Sequence, residues 1–328
     1  MALLLFLLGL ALLLVGGRIL VSGAVDLATR ARVPPLLVGL TIVAWGTSAP
    51  ELTFNLTSSL SGKPDLVFGN VVGANICNLG LVIGISAMIA PLIIDARVIK
   101  REIPMMLALF ACFAVVVALH SHLADVAVPV IVLVLFAAYS AFILWAGLKE
   151  RVENVELAVD VHQIQKALET RPAWVSVLML LAGIGLLTLG GSIASNAASD
   201  IAVSLGMSPR VVGATVVAVG TTMPELITSI IAVRKKQVDL AVGNAVGSCM
   251  FNIGAIYGLC GVVHPAEPPQ GSLPSTIFML ILGTLLWPMS KTAKGGIARL
   301  EGAFLVALYI GTIVWELARS GTALAASS

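Results

Sequence analysis

The chain contains one long stretch twice. Residues 39–51 read GLTIVAWGTSAPE, and residues 213–225, 174 positions later, read GATVVAVGTTMPE. At the same offset DLVFGNVVGANICNLG (65–80) returns as DLAVGNAVGSCMFNIG (239–254), with no gap between the blocks. Over 35–91 against 209–265, 21 of 57 positions are identical, and the pairing reaches back to Gly16-Gly17/Gly190-Gly191 and Asp26/Asp200. Apolar helices of low complexity match each other's Val and Leu by composition alone. Composition does not match Glu51 with Glu225, Asn70 with Asn244, Asn78 with Asn252 and Asp65 with Asp239. The halves are therefore read as a duplication, and a fold for one half constrains the other.

Lipid is the solvent such a chain requires. Of 328 residues, 59% are hydrophobic and 11% charged, against roughly 25% charged in soluble domains, and mean hydropathy is +1.04. Ten spanning segments follow, near 2–27, 36–60, 67–91, 103–119, 126–148, 173–199, 210–233, 238–262, 273–289 and 297–317. In hydrocarbon each is helical or satisfies its broken backbone inside the protein. The apolar start (Met1–Val15) lacks a basic leader, runs into Gly16-Gly17-Arg18 and stays apolar to Val25, so it is read as the first span and not a cleaved signal.

The longest polar connection, Lys149–Arg171, splits the spans five and five. This gives a first repeat at 1–148, a linker or short surface helix at 149–171 and a second repeat at 172–328. Five is odd, so the second repeat enters the membrane from the opposite side. The expected fold class is an all-α polytopic membrane protein, its ten transmembrane helices arranged as two inverted five-helix repeats. Fifteen Lys and Arg fall in alternate loops on one side (Arg30 and Arg32, Arg97–Arg101, Lys149–Arg171, Arg234–Lys236, Lys291–Arg299). Three fall on the other (Lys63, Arg210, Arg319). The positive-inside rule places the fifteen in the cytoplasm and both termini outside.

Glu51 and Glu225 lie inside apolar segments, where an unpaired carboxylate is costly. Each follows a Gly-Thr-Ser/Thr-X-Pro run: Gly46-Thr47-Ser48-Ala49-Pro50 and Gly220-Thr221-Thr222-Met223-Pro224. Proline removes a backbone donor and frees the carbonyl one turn earlier. Freed carbonyls, hydroxyls and a carboxylate make a hard-oxygen set suited to Ca²⁺, Na⁺ or a proton. The second block adds amides, whose oxygen ligates a cation and whose NH₂ ties down a carboxylate. Asn78, Asn252 and Ser248 are the further ligand candidates. Asn70 and Asn244 are read equally as ligands or as bridges between helices. Gly69, Gly73, Gly243 and Gly247 allow close helix approach.

Other residues receive plainer readings. Cys77, Cys112, Cys249 and Cys260 form no CxxC pair and are taken as small packing residues. Asp26 and Asp200 fall at solvated segment ends, and Asp65 and Asp239 are N-terminal caps or first-turn acids. His120, His122 and His264 are assigned to outer loops and His162 to the linker. Arg234-Lys235-Lys236 is a topology anchor, with anionic lipid as a lesser reading. A net charge of +2 argues against a nucleic-acid partner. No phosphate-binding Gly-rich loop, HExxH or nucleophile constellation points to ATP use or an enzyme. The expected partners are inorganic cations and membrane lipids. No obligate protein partner and no cofactor are expected.

The paired motifs resemble those of the cation/calcium exchanger superfamily, especially its prokaryotic sodium/calcium exchanger members. The GTSxPE hallmark stands at Gly46–Glu51 and, with Thr222 in the Ser place, at Gly220–Glu225. GNxxGxNIxN stands at Gly69–Asn78 and, altered, at Gly243–Asn252. The resemblance covers nearly the whole chain. It implies antiport of Ca²⁺ for Na⁺ by alternating access in a prokaryotic plasma membrane. A proton-coupled calcium exchanger or a sodium/proton exchanger of the same fold is the alternative. It further implies that Glu51 and Glu225 contact calcium, and that Thr47 with Ser48, and Thr221 with Thr222, line calcium and sodium sites. The Ala44 and Ala218 carbonyls help bind sodium, and Asn78 and Ser248 are polar ligands. The first and sixth helices slide past the rest. Two departures stand out. Ala74 occupies a place where many relatives have Ser, and Asn252 one where well-studied members often have Asp. Two carboxylates then remain at the centre, enough for one Ca²⁺, two monovalent ions or two protons.

Overall fold

The computed structural model describes residues 1–31, 33–119, 122–150, 172–204, 218–292 and 295–325. The first repeat comprises α1 (Ala2–Ala31), α2 (Pro35–Thr47), α3 (Ala49–Leu60), α4 (Pro64–Ile89), α5 (Val98–Leu119) and α6 (His122–Glu150). The second comprises α7 (Ala173–Ser204), α8 (Ala218–Thr221), α9 (Met223–Arg234), α10 (Val238–Val263), α11 (Leu273–Met289) and α12 (Arg299–Ala325). Helices α2 and α3 are one broken span, bent by 47° at Ser48. Every one of the ten expected spans thus has helix within it. The expected linker lies outside the described residues from 151 to 171, as does the start of the seventh span.

Proline and left-handed turns set the helix limits. Pro35 and Pro64 occupy first-turn positions, where their missing N–H costs nothing. The hairpin between α3 and α4 turns at Gly62 (φ 65°), and the one between α9 and α10 turns at the equivalent Lys236 (φ 61°). Each turn is closed by the same six-residue backbone bond, Lys63 N to Ser58 O at 2.9 Å and Gln237 N to Ala232 O at 2.8 Å. Lys236 holds a conformation that L-residues avoid, so the duplicated architecture outweighs the local preference there. Asp65 and Asp239 sit in the first turns of α4 and α10, while the cap positions themselves are Lys63 and Gln237.

Loop contacts show which ends share a side. Strand β1 (Leu92–Ile93) pairs antiparallel with β2 (Gly296–Ile297), and Ile94 N donates to Gly295 O at 3.1 Å. Lys235 Nζ donates to Ser22 Oγ at 2.7 Å. At the opposite side Ser59 Oγ donates to Cys260 O at 3.1 Å, joining the far ends of α3 and α10. These groupings agree with the alternation from which the loop charges were counted.

Burial separates the helices into two sets. The apolar windows of α4 and α10 are 72% buried inside the protein, those of α1 and α7 only 33%. Where α10 crosses α2, a Cβ on Gly243 would meet Leu36 O at 2.8 Å and one on Gly247 would meet Leu40 O at 2.7 Å. The two repeats interlock at the centre through these two glycines, whereas Gly69, the first-repeat equivalent of Gly243, faces open space and makes no close approach.

Candidate ion-binding site

Both Gly-Thr-Ser/Thr-X-Pro runs break their helices. Ser48 (φ −83°, ψ 10°) and Thr222 (φ −86°, ψ 0°) leave helical geometry, and Pro50 and Pro224 open the helices that follow. Glu51 and Glu225 therefore sit in the first turns of α3 and α9, where unpaired N–H groups and the helix dipole favour a negative group. Asn78 and Asn252 each begin a π-helical turn, Asn78–Val82 in α4 and Asn252–Tyr257 in α10. A third π turn, Gly39–Val43, leads into Ala44 in α2. Such turns concentrate where helices adapt to a functional site.

These elements bring the residues together across the repeats. Ala44, Thr47, Ser48, Glu51, Asn78, Thr222, Glu225, Ser248 and Asn252 are no more than 1% exposed. Glu51 and Glu225 lie close enough for their charges to repel. Ser48 Oγ donates to Glu225 Oε1 at 2.8 Å and lies 3.1 Å from Ser248 Oγ, which reaches Ala44 O at 3.4 Å. Thr47 Oγ1 lies 3.2 Å from Ala44 O. Thr221 hydrogen-bonds Glu51. Thr222, buried beside Thr221, hydrogen-bonds the Cys77 thiol. Ala218 begins α8, immediately after the residues outside the description.

Several buried polar atoms have no hydrogen-bond partner: Glu51 Oε2, Glu225 Oε2 and both amide atoms of Asn78 and of Asn252. Orphaned groups of this kind call for an explanation, and the two amide oxygens among them, with the two carboxylates, make a set of hard-oxygen donors. Among the described residues no three His, Cys, Asp or Glu gather at one point. The chemistry therefore rests on two carboxylates and neutral oxygens.

Asn70 and Asn244 resolve as bridges. Asn70 Nδ2 reaches Thr221 Oγ1 at 3.4 Å, and Asn244 Oδ1 accepts from Thr47 Oγ1 at 3.1 Å. Their anchors, Asn55 and Ser229, escaped the sequence reading. Asn55 Nδ2 donates to Asn70 Oδ1 at 2.6 Å, and Asn244 Nδ2 donates to Ser229 Oγ at 3.0 Å. The signal was available: each lies four residues after its glutamate, at the 174-residue offset. A second pair also escaped notice, the buried Glu102 accepting from the partly buried Tyr139 Oη, because no repeat equivalent marks it. The four cysteines are free, with Cys77, Cys249 and Cys260 buried.

Fold and site define a class: a multi-pass, inverted-repeat membrane protein with buried carboxylates and neutral oxygens at its centre. Within that class the chain belongs to the sodium/calcium exchanger protein family, whose model matches residues 1–145 and 175–318. It is 32% identical to an uncharacterized membrane protein of Methanocaldococcus jannaschii, over 93% of this chain and 94% of that one. It is 29% identical to the sodium/calcium exchanger MaX1 of Methanosarcina acetivorans, over 95% and 97%. Among solved structures, the sodium-calcium exchanger NCX_Mj superposes with a TM-score of 0.79 at 29% identity, over 95% of this chain and 97% of that one. The fold is thus ten membrane helices in two inverted five-helix repeats, in a prokaryotic multi-pass membrane protein.

Proposed function

We propose that the chain is a secondary antiporter that exchanges Ca²⁺ for Na⁺ by alternating access. Ca²⁺ lies between Glu51 and Glu225, with Asn78, Asn252 and hydroxyl oxygens completing the shell. Monovalent cations compete for the same carboxylates. The carrying observation is that two neighbouring buried glutamates each keep an unpartnered oxygen, and that the wholly unpartnered amides of Asn78 and Asn252 begin π turns packed against the helices that carry those glutamates. Coupling follows from charge. An empty centre holds two unneutralised carboxylates in a low-dielectric interior, and such a centre resists crossing between the two open states.

The glycine-packed pair α1 and α7 is the moving element in this reading. The excess of Lys and Arg in alternate loops supports an orientation with both termini outside, and the resemblance to prokaryotic exchangers supports a plasma membrane. The test is calcium release from sealed, calcium-loaded liposomes under separate sodium and pH gradients, with membrane potential clamped and protein-free vesicles as the leak control. Release driven by sodium is the expected result. Release driven only by protons moves the protein to a proton-coupled class with the same site. No calcium movement by folded, inserted protein removes calcium from the reading.

A further inference from the structure

Away from the centre, a second polar cluster has no part in ion binding. Where the starts of α2 and α5 meet the end of α6, Arg97, Arg101 and Glu102 border a groove. Its floor is aliphatic: Leu36, Leu37 and Leu40 come from α2, and Ile143 and Ala146 from α6. On α6 the neighbouring Phe142 and Trp145 are exposed, so this flank of the protein faces the bilayer. The loop charges assign the same helix ends to the cytoplasmic face.

Two acids stand beside the arginines, and Arg101 is little used by either. Asp95 accepts from Arg97 Nε at 3.0 Å and from Arg97 Nη2 at 2.9 Å. Glu102 is fully buried and accepts from Tyr139 Oη. Its other oxygen lies 3.5 Å from Arg101 Nη2, beyond the usual range of a hydrogen bond. The Arg101 guanidinium lies 5.9 Å from the centre of the Phe142 ring, and its Nε has no hydrogen-bond partner. A guanidinium carries five donors in a planar fork that matches phosphate. With the exposed Lys100, three cations face two acids, and the cluster is net positive.

We propose that this groove binds an anionic phospholipid of the surrounding bilayer, with the phosphate on Arg101 and Arg97 and an acyl chain along the α2/α6 floor. A soluble phosphate has the charge but gains nothing from the aliphatic floor. A zwitterionic lipid has the chain, but its own cation offsets its phosphate. Guanidinium and floor together select a lipid of net negative charge. The bound chain lies against both α2 and α6, so occupancy stabilises the folded protein.

Native mass spectrometry of the delipidated full-length protein in detergent tests this, alongside thermal unfolding. The probes are dioleoyl phosphatidylglycerol, dioleoyl phosphatidylcholine and soluble glycerol phosphate. Phosphatidylglycerol is expected to bind about tenfold more tightly than phosphatidylcholine and to raise the thermal midpoint. Glycerol phosphate is expected not to bind. Arg101→Gln lowers phosphatidylglycerol affinity about tenfold, the share of a charge-assisted bond. Lys100→Gln, the same charge change on an exposed neighbour, lowers it less than about twofold. Ala146→Phe fills the floor, leaves the charges in place and weakens both lipids; it carries the test if Arg101→Gln does not fold. Equal binding of the two lipids, equal losses from Arg101→Gln and Lys100→Gln, binding of glycerol phosphate as tight as that of lipid, or unchanged binding by Ala146→Phe overturns the proposal. Neither readout involves ion movement, so this inference and the antiport reading stand or fall separately.

Discussion

The centre of the molecule and its α1/α7 pair are built on opposite principles. The centre is broken, polar and cross-linked: Thr47 to Asn244, Asn70 to Thr221 and Ser48 to Glu225 each join one repeat to the other. Directional bonds between buried groups allow one arrangement and penalise its neighbours. The α1/α7 pair is smooth. Gly9, Gly16 and Gly23 recur every seven residues along α1 and meet α7 in antiparallel order. A Cβ on Gly9 would lie 2.6 Å from Ala194 N, one on Gly16 3.0 Å from Leu187 N, and one on Gly23 2.9 Å from Ser176 O. Contacts at these glycines are with backbone and aliphatic atoms, which carry little direction. The smooth contacts hold α1 to α7, and in the proposed alternating access that pair moves as one body across the cross-linked centre.

The largest effect is expected at the centre. Glu51→Gln and Glu225→Gln each remove one of the two charges that hold Ca²⁺. Loss of one partner from a buried charged set costs about 3–5 kcal/mol, or more than about a hundredfold in affinity. Calcium exchange in liposomes is expected to vanish while circular dichroism and insertion stay intact. Near-normal exchange by either variant rejects the two-glutamate centre.

Cross-linking separates the two regions directly. With the four native cysteines replaced, Gly23→Cys with Met179→Cys ties α1 to α7 within the pair, where a Gly23 Cβ would lie 2.9 Å from Met179 Cβ. Gly17→Cys with Ile227→Cys ties α1 to α9, where a Gly17 Cβ would lie 3.2 Å from Ile227 Cγ2. Both need a small adjustment to reach disulfide geometry. If the pair moves as one body, the first link spares exchange and the second stops it until reductant is added. Exchange blocked equally by both links breaks the comparison.

Asn244→Ala comes next. It removes the bonds that Asn244 makes with the Glu225 carbonyl, Ser229 and Thr47, at about 1–3 kcal/mol in all. Calcium affinity is expected to fall about tenfold, with a lower thermal midpoint. Asn70→Ala, whose contact to Thr221 is longer at 3.4 Å, is expected to do less. A larger loss from Asn70→Ala than from Asn244→Ala would reverse this order of the two bridges.

Much of this was legible because duplication prints the same polar residues twice. Glu51/Glu225 and Asn78/Asn252 stood out against apolar surroundings, and the span count gave the inversion. The break at Ser48 followed from Pro50. The sequence does not show which way an amide turns, since that depends on a backbone carbonyl four residues back and on one neighbour. Asn55 and Ser229 were missed for this reason: as a pair they are not identical, and the search for sameness passes over the difference that matters. The Thr222–Cys77 hydrogen bond joins two helices, a contact that no linear spacing contains.

The smallest effect belongs to the clasp outside both regions. Asp95 follows β1, and its Oδ1 accepts from Arg97 N at 2.7 Å while Oδ2 pairs with Arg97 Nη2 at 2.9 Å. The Arg97 guanidinium holds the Asp95 carboxyl below the usual range. A carboxyl with a lowered folded-state pKa stabilises the protein above its unfolded-state value, about 3.9, and that contribution is lost as pH falls through the folded-state value. Both side chains are partly exposed, so screening limits the gain to less than about 1 kcal/mol. Asp95→Asn is therefore expected to lower the thermal midpoint slightly at neutral pH and to match the wild type in strong acid. Exchange in liposomes should not change, because the pair is local to the connection between β1 and α5. A clear loss of exchange in this variant would mean that the clasp moves during transport, and the boundary between the rigid and sliding regions would have to be redrawn to include it.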